Sequence, residues 1–101
     1  MKNVKPQSKP KRRRIQFALT TRAARKVCLA GEFNDWNEQS LPMKRDADGT
    51  WKRTALLAPG QYEYKFLVDG DWKEDPANSK RRRNRFGTYN CIVEVALPGV
   101  G

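Results

Sequence analysis

The chain has 101 residues, 38% of them hydrophobic, and a formal charge of +10 at pH 7. That length favours one domain with one modest core, and no stretch approaches the roughly 18–20 apolar residues of a membrane span. Two cysteines and no histidine leave too few soft ligands for a structural zinc site and remove the commonest general base of neutral-pH catalysis.

The charge is local. Residues 1–14 hold seven Lys or Arg and no acid, whereas residues 15–101 hold fourteen basic and eleven acidic side chains. Residues 1–13 read as a disordered basic arm, with Pro6, Pro10 and almost no apolar surface to offset the entropy of ordering. No apolar stretch follows them, so no secretory leader is expected and the expected location is cytoplasmic. Cys28 and Cys91 are then expected as packed small hydrophobes rather than a disulfide.

From Arg14 the pattern becomes period two. Ile15, Phe17 and Leu19 alternate with polar or small residues, which predicts a strand with one buried face. A second strand is expected over 26–30, followed by the turn-rich stretch 31–40. Leu41, Pro42 and Met43 suggest a short edge piece, because Pro42 has no N–H for a central ladder. Residues 45–49 read as a turn, 50–57 as a strand with Trp51 in the core, and Pro59-Gly60 as the next turn. Over 61–68, Tyr62, Tyr64, Phe66 and Val68 share one face, and Gln61, Glu63, Lys65 and Leu67 the other. Asp69-Gly70 is a hairpin signal, with 71–73 returning. Residues 74–85 read as a long basic loop. The last strand starts near Thr88, with Tyr89, Cys91, Val93 and Val95 inward and Thr88, Asn90, Ile92 and Glu94 outward. Many short strands and no helical periodicity imply an all-β sandwich or small barrel. The domain is expected over 14–97, with a short tail at 98–101.

No serine sits in a nucleophile elbow and no glycine-rich phosphate loop is present. Asp69, Asp71, Glu74 and Asp75 read as turn and loop acids rather than a glycosidase pair, since so short a chain builds no deep enclosing cleft. No enzymatic activity, metal or cofactor is expected. The positive signal is aromatic: Trp36 and Trp72 both lie in polar turn regions. An indole face offers an apolar platform with a polar N–H at its rim, matching the C–H face and hydroxyl rim of a pyranose. Lys65 and Asn90, on outward positions, supply donors and acceptors for hydroxyls. Folding of both indoles back over the core edge is the other reading. The basic runs, Arg12, Arg13 and Arg14 and then Lys80, Arg81, Arg82, Arg83 and Arg85, are candidate polyanion or partner contacts. Single-stranded nucleic acid is the alternative ligand, and solvated surface is the ordinary one.

Three segments in this order, VCLAGEFNDW, YEYKFLVDGDWKEDP and FGTYNCIVEV, resemble carbohydrate-binding module family 48, and within it the glycogen-binding domain of the AMP-activated protein kinase β subunit. The likeness covers about residues 14–97. It implies an immunoglobulin-like β-sandwich of early-set type with about seven strands. It also implies non-catalytic binding of α-1,4-glucans such as glycogen, starch or maltooligosaccharides, in a targeting or regulatory role and with a glycogen-metabolism enzyme or other protein as a further partner. Carried over residue by residue, it gives Trp36, Lys65, Trp72, Phe86, Thr88 and Asn90 as sugar contacts and Asn34 as a loop organiser. Phe86 stands where the family usually has leucine, and the arginine-rich loop before it is a second departure.

Overall fold

Alternation along the strands becomes two packed layers. In a computed structural model that describes residues 12–96, eight strands run in chain order: β1 (Arg13–Thr20), β2 (Val27–Gly31), β3 (Lys44–Arg45), β4 (Thr50–Leu57), β5 (Gly60–Val68), β6 (Asp71–Lys73), β7 (Arg81–Arg83) and β8 (Tyr89–Val95). They form two antiparallel sheets, one ordered β1-β4-β3 and the other β2-β5-β8-β7, with β6 also paired to β5. The core lies between them. Phe17 and Leu19 of β1 and Trp51, Ala55 and Leu57 of β4 face Val27, Leu29, Tyr64, Phe66, Cys91 and Val95 of the larger sheet. Phe17 meets Tyr64 edge-on across the layers, with ring centroids 4.9 Å apart.

β2 is buried along its whole length. Its inward residues fill the core, and on its far edge Leu29 N–H donates to the Leu41 carbonyl at 2.9 Å and Met43 N–H to the Val27 carbonyl at 2.8 Å. Pro42 sits between these bonds, opposite Cys28, where no N–H is needed. At Gly31 an added Cβ would lie 2.5 Å from the Glu63 carbonyl oxygen, so only glycine lets β2 approach β5 this closely.

β5 divides its second edge between two partners. Gly60 to Tyr64 pair with β8, and Phe66 to Val68 pair with β6. Lys65 is the residue at which the partner changes.

Several expectations need correcting. The segment 74–85 is not all loop: Arg81–Arg83 form edge strand β7, paired to Tyr89–Cys91. Its signal is absent from the side chains because the pairing is through backbone, and charged side chains are what an exposed edge tolerates. The first strand begins at Arg13, one residue into the segment assigned to the arm, and the second covers Val27–Gly31 rather than 26–30. The arm before Arg12 and the tail from residue 97 lie outside the described residues. Tyr89, expected inward, is 44% exposed; it opens β8 opposite Arg83 of the edge strand, outside the core cluster.

Cys28 and Cys91 are both free and buried. Cys28 is opposite Leu67 and Cys91 opposite Tyr64, which places the two thiols on opposite faces of one sheet, two strands apart. At about 4.8 Å per strand spacing, that separation exceeds what a disulfide spans.

Candidate functional site

The outer face of the larger sheet carries a cleft of about 990 Å³ whose wall includes Trp36, Lys65, Trp72, Phe86, Thr88 and Asn90. All six sugar contacts named by sequence thus lie around one opening.

Trp36 is held out by an unusual loop. Asp35 and Trp36 both have left-handed backbone, φ 54° and 56°, a conformation that is an outlier for a bulky side chain. The Trp36 N–H donates to the Gly31 carbonyl at 2.8 Å. The Asn34 carboxamide fixes the rest: its Oδ1 accepts the Gly31 N–H at 3.0 Å, while its Nδ2 donates to the Asn37 carbonyl at 3.1 Å and to Ser40 Oγ at 3.0 Å. Strain of order 1–3 kcal/mol per such residue persists only where surrounding bonds over-determine it.

Trp72 arrives by the β5–β6 hairpin. Asp69 and Gly70 turn with φ 49° and 90°, the two successive positive values a tight hairpin needs. The Asp69 carboxylate accepts the backbone N–H groups of Arg25, at 2.9 Å, and Lys26, at 2.8 Å. The two indoles then meet edge to face, with centroids 6.2 Å apart and planes at 76°. They form a corner, not a flat platform.

The floor is polar. Lys65 is 7% exposed and Asn90 8%. Both occupy outward strand positions, yet the outward face here is covered rather than open. Lys65 Nζ donates to Thr88 Oγ1 at 2.9 Å. Asn90 Nδ2 donates to Glu63 Oε1 at 2.9 Å, and Arg82 meets Glu63 Oε2 at 2.9 Å. Phe86, 77% exposed, stands at the far rim on a turn where Gly87 has φ 85°.

Asn84 and Glu63 escaped the sequence reading. Asn84 builds the turn beneath Phe86, its Oδ1 accepting the N–H groups of Phe86, at 3.0 Å, and Thr88, at 3.1 Å. An Asn two residues before the Phe86-Gly87 pair was the available signal, since Asn side chains cap turns in this way. Glu63 shares the outward parity of Lys65, but only the tertiary fold brings it to Asn90 and Arg82.

Several of the remaining acids and cations are engaged. Asp75, buried, accepts the Tyr64 hydroxyl at 2.7 Å and the Ala77 N–H at 2.9 Å. Burial pushes the Tyr64 phenol well above its ordinary range, aided by Asp75 and opposed by an Asn78 hydrogen bond. Lys80 pairs with Glu94 at 3.2 Å and Arg81 with Glu74 at 3.2 Å. The Arg85 guanidinium lies over the Phe86 ring, 5.1 Å from its centroid. Arg12, Arg13, Arg14 and Arg83 are exposed, the first three far along the sequence from the cleft. Among the described residues no cluster of potential metal ligands occurs, and no helix is long and apolar enough to cross a membrane.

The cleft thus sets an aromatic corner over a hydrogen-bonding floor, on one face of a small antiparallel sandwich. Residues 15–99 match the family described as the glycogen recognition site of AMP-activated protein kinase, and the chain belongs to that family. It is 40% identical over 82 residues to Protein FLOURY ENDOSPERM 6, chloroplastic, of Oryza sativa subsp. japonica, covering 81% of this chain and 15% of that protein. It is 44% identical over 54 residues to Protein PTST homolog 2, chloroplastic, of Arabidopsis thaliana, covering 54% of this chain and 10% of that one. Against the human 5'-AMP-activated protein kinase subunit beta-1 it is 35% identical over 75 residues, which is 74% of this chain and 26% of the subunit. The chain therefore spans a minor part of these relatives' length. None of the three relatives supports the nucleic-acid alternative.

Proposed function

We propose that this chain is a non-catalytic module that binds an α-glucan strand in the cleft, stacking sugar rings on Trp36 and Trp72 and hydrogen-bonding their hydroxyls from Lys65, Thr88 and Asn90. Membership of the glycogen-recognition family supports the ligand class. The single observation that carries the geometry is the 76° angle between the two indoles. Successive rings of an α-1,4-glucan turn relative to one another, so two inclined faces suit a curved strand, whereas a flat β-1,4 strand calls for coplanar platforms. Phe86 adds a third apolar contact from the opposite rim.

Non-catalytic binding fits four of the acids near the cleft. Asp69 and Asp75 spend their oxygens on backbone and phenol hydrogen bonds, and Glu63 and Glu74 face guanidinium groups. Such a module serves by targeting, bringing a glucan to a partner such as an enzyme of glycogen metabolism.

The test is affinity electrophoresis through glycogen, paired with tryptophan fluorescence on titration with maltoheptaose. Trp36→Ala and Trp72→Ala should each weaken binding at least about tenfold, the behaviour of a buried aromatic anchor, with unfolding still cooperative. No retardation and no fluorescence change for the parent chain would overturn the reading.

A further inference from the structure

A neutral glucan leaves part of this cleft unexplained. Five ionisable side chains line it: Glu63, Lys65, Lys73, Glu74 and Arg85. Both carboxylates are already met by guanidinium groups, Glu63 by Arg82 at 2.9 Å and Glu74 by Arg81 at 3.2 Å. Lys65, Lys73 and Arg85 have no carboxylate within ion-pair distance among the described residues. With Lys65 assigned to the sugar hydroxyls, the cleft wall is left with two cations, Lys73 and Arg85, that no described carboxylate meets. Arg85 stands at the opposite rim, its guanidinium held over the Phe86 ring, so its orientation is set before any ligand arrives.

We infer that the cleft is built for α-glucan carrying phosphate monoesters, with an esterified sugar placed so that its phosphate meets a rim cation, Lys73 or Arg85. This deepens the proposed function and rests on it: the aromatic corner and polar floor hold the sugars, and the two rim cations read the substituent. A phosphate monoester brings about −1.5 to −2 charge and three strong acceptor oxygens near neutral pH. Guanidinium groups match those oxygens with paired donors, and ammonium groups meet them as point charges. The neutralised glutamates serve the same end, since Arg81 and Arg82 remove the negative field that would repel an anion from this wall.

The experiment compares a phosphate-rich amylopectin with the same polymer after enzymatic dephosphorylation, each cast in an affinity gel. The parent chain should bind the phosphorylated polymer about threefold to fivefold more tightly at low salt, the worth of partly exposed ion pairs. That advantage should shrink at about 0.15 M ionic strength. In the double variant Lys73→Gln/Arg85→Gln the ratio of the two affinities should fall to about one, and Arg85→Lys alone should retain most of it. The double variant should still be retarded by the dephosphorylated polymer as the parent is, which separates loss of the phosphate preference from loss of fold or of sugar contact. Equal binding of both polymers by the parent overturns the phosphate inference and leaves glucan binding standing, whereas retardation by neither polymer overturns both. A preference that survives the double variant, or one abolished by a single-stranded oligonucleotide at matched phosphate concentration, also overturns it, the second by showing general attraction to polyanions.

Discussion

Asn84 grips Thr88 at three points. Its Oδ1 accepts the Thr88 N–H at 3.1 Å, its Nδ2 donates to the Thr88 hydroxyl at 2.7 Å, and its own N–H donates to the Thr88 carbonyl at 2.8 Å. The same Nδ2 reaches Asn90 Oδ1 at 3.0 Å. One carboxamide thus ties the turn bearing Phe86 to the floor bearing Lys65 and Asn90.

Asn84→Ala removes those side-chain bonds and leaves the Phe86 and Thr88 N–H groups to water. Net losses near 1 kcal/mol per hydrogen bond, partly recovered by solvent at this half-exposed site, give an expected destabilisation of about 1–2 kcal/mol. Glucan affinity should fall about tenfold, because Phe86 and Thr88 are no longer held in place. Urea unfolding and affinity electrophoresis measure the two effects separately. Unchanged affinity at reduced stability would assign Asn84 to the fold alone.

The reach of sequence reading follows the range of each interaction. The β5–β6 hairpin is legible because Tyr62, Tyr64, Phe66 and Val68 alternate and Asp69-Gly70 supplies the turn. Edge strand β7 is not, because Arg81, Arg82 and Arg83 are placed by backbone pairing that leaves no apolar trace. Trp36 is visible as an oddly placed indole, but its direction depends on two left-handed residues and on Asn34 reaching forward to Asn37 and Ser40. Strand parity puts Lys65 and Asn90 on the correct face. It does not reveal that they are covered there, since Thr88 meets Lys65, and Asn84 and Glu63 meet Asn90, only once the strands pair.

Lys65 separates binding from stability. It sits where β5 passes from β8 to β6, and its ammonium has a hydroxyl as partner rather than a carboxylate. In Lys65→Met the aliphatic stem is largely preserved and Thr88 keeps Asn84 as hydrogen-bond donor. With no carboxylate partner to lose, replacing the lysine by an apolar side chain of similar length removes little that supports the fold. Expected is a melting temperature equal to or above the parent's, together with a roughly tenfold loss of glucan affinity as a charge-assisted bond disappears. A marked drop in melting temperature would show that the ammonium supports the fold.

Acid should act first on the turn between β3 and β4. The Asp46 carboxyl is held well below its usual value of 3.8, first by hydrogen bonding with the Asp48 side chain, then by Lys52 and by the Thr50 and Asp48 N–H groups. Lys52 Nζ lies 2.8 Å away, and its own pKa is raised by the same contact. A carboxyl whose folded pKa lies below its unfolded one stabilises the fold above the unfolded value and loses that contribution as pH falls through the folded one. Asp46→Ala should therefore lower the melting temperature at pH 7, and the gap to the parent should narrow steadily below about pH 4. Both groups are solvent-exposed, so added salt should narrow the gap too. A gap independent of pH would place its origin in the turn's shape rather than its charge.

Gly31 links the fold to the aromatic corner. Its backbone is extended, with φ −173°, so conformation alone would permit any residue. Space would not: a Cβ here would lie 2.5 Å from the Glu63 carbonyl oxygen and 2.8 Å from the Phe33 ring. The ring can tilt, but the carbonyl belongs to β5, which is clamped between β2 and β8. Gly31→Ala must therefore part the ends of β2 and β5, at an expected cost of about 1–3 kcal/mol for overpacking. The Gly31 carbonyl also accepts the Trp36 N–H, so the displacement passes directly to the indole, and the Glu63 shift passes to Asn90. In urea unfolding, saturating maltoheptaose should raise the midpoint of the parent chain by more than it raises the midpoint of Gly31→Ala. Equal ligand-induced shifts in the two chains would mean that the strand end yields without moving Trp36.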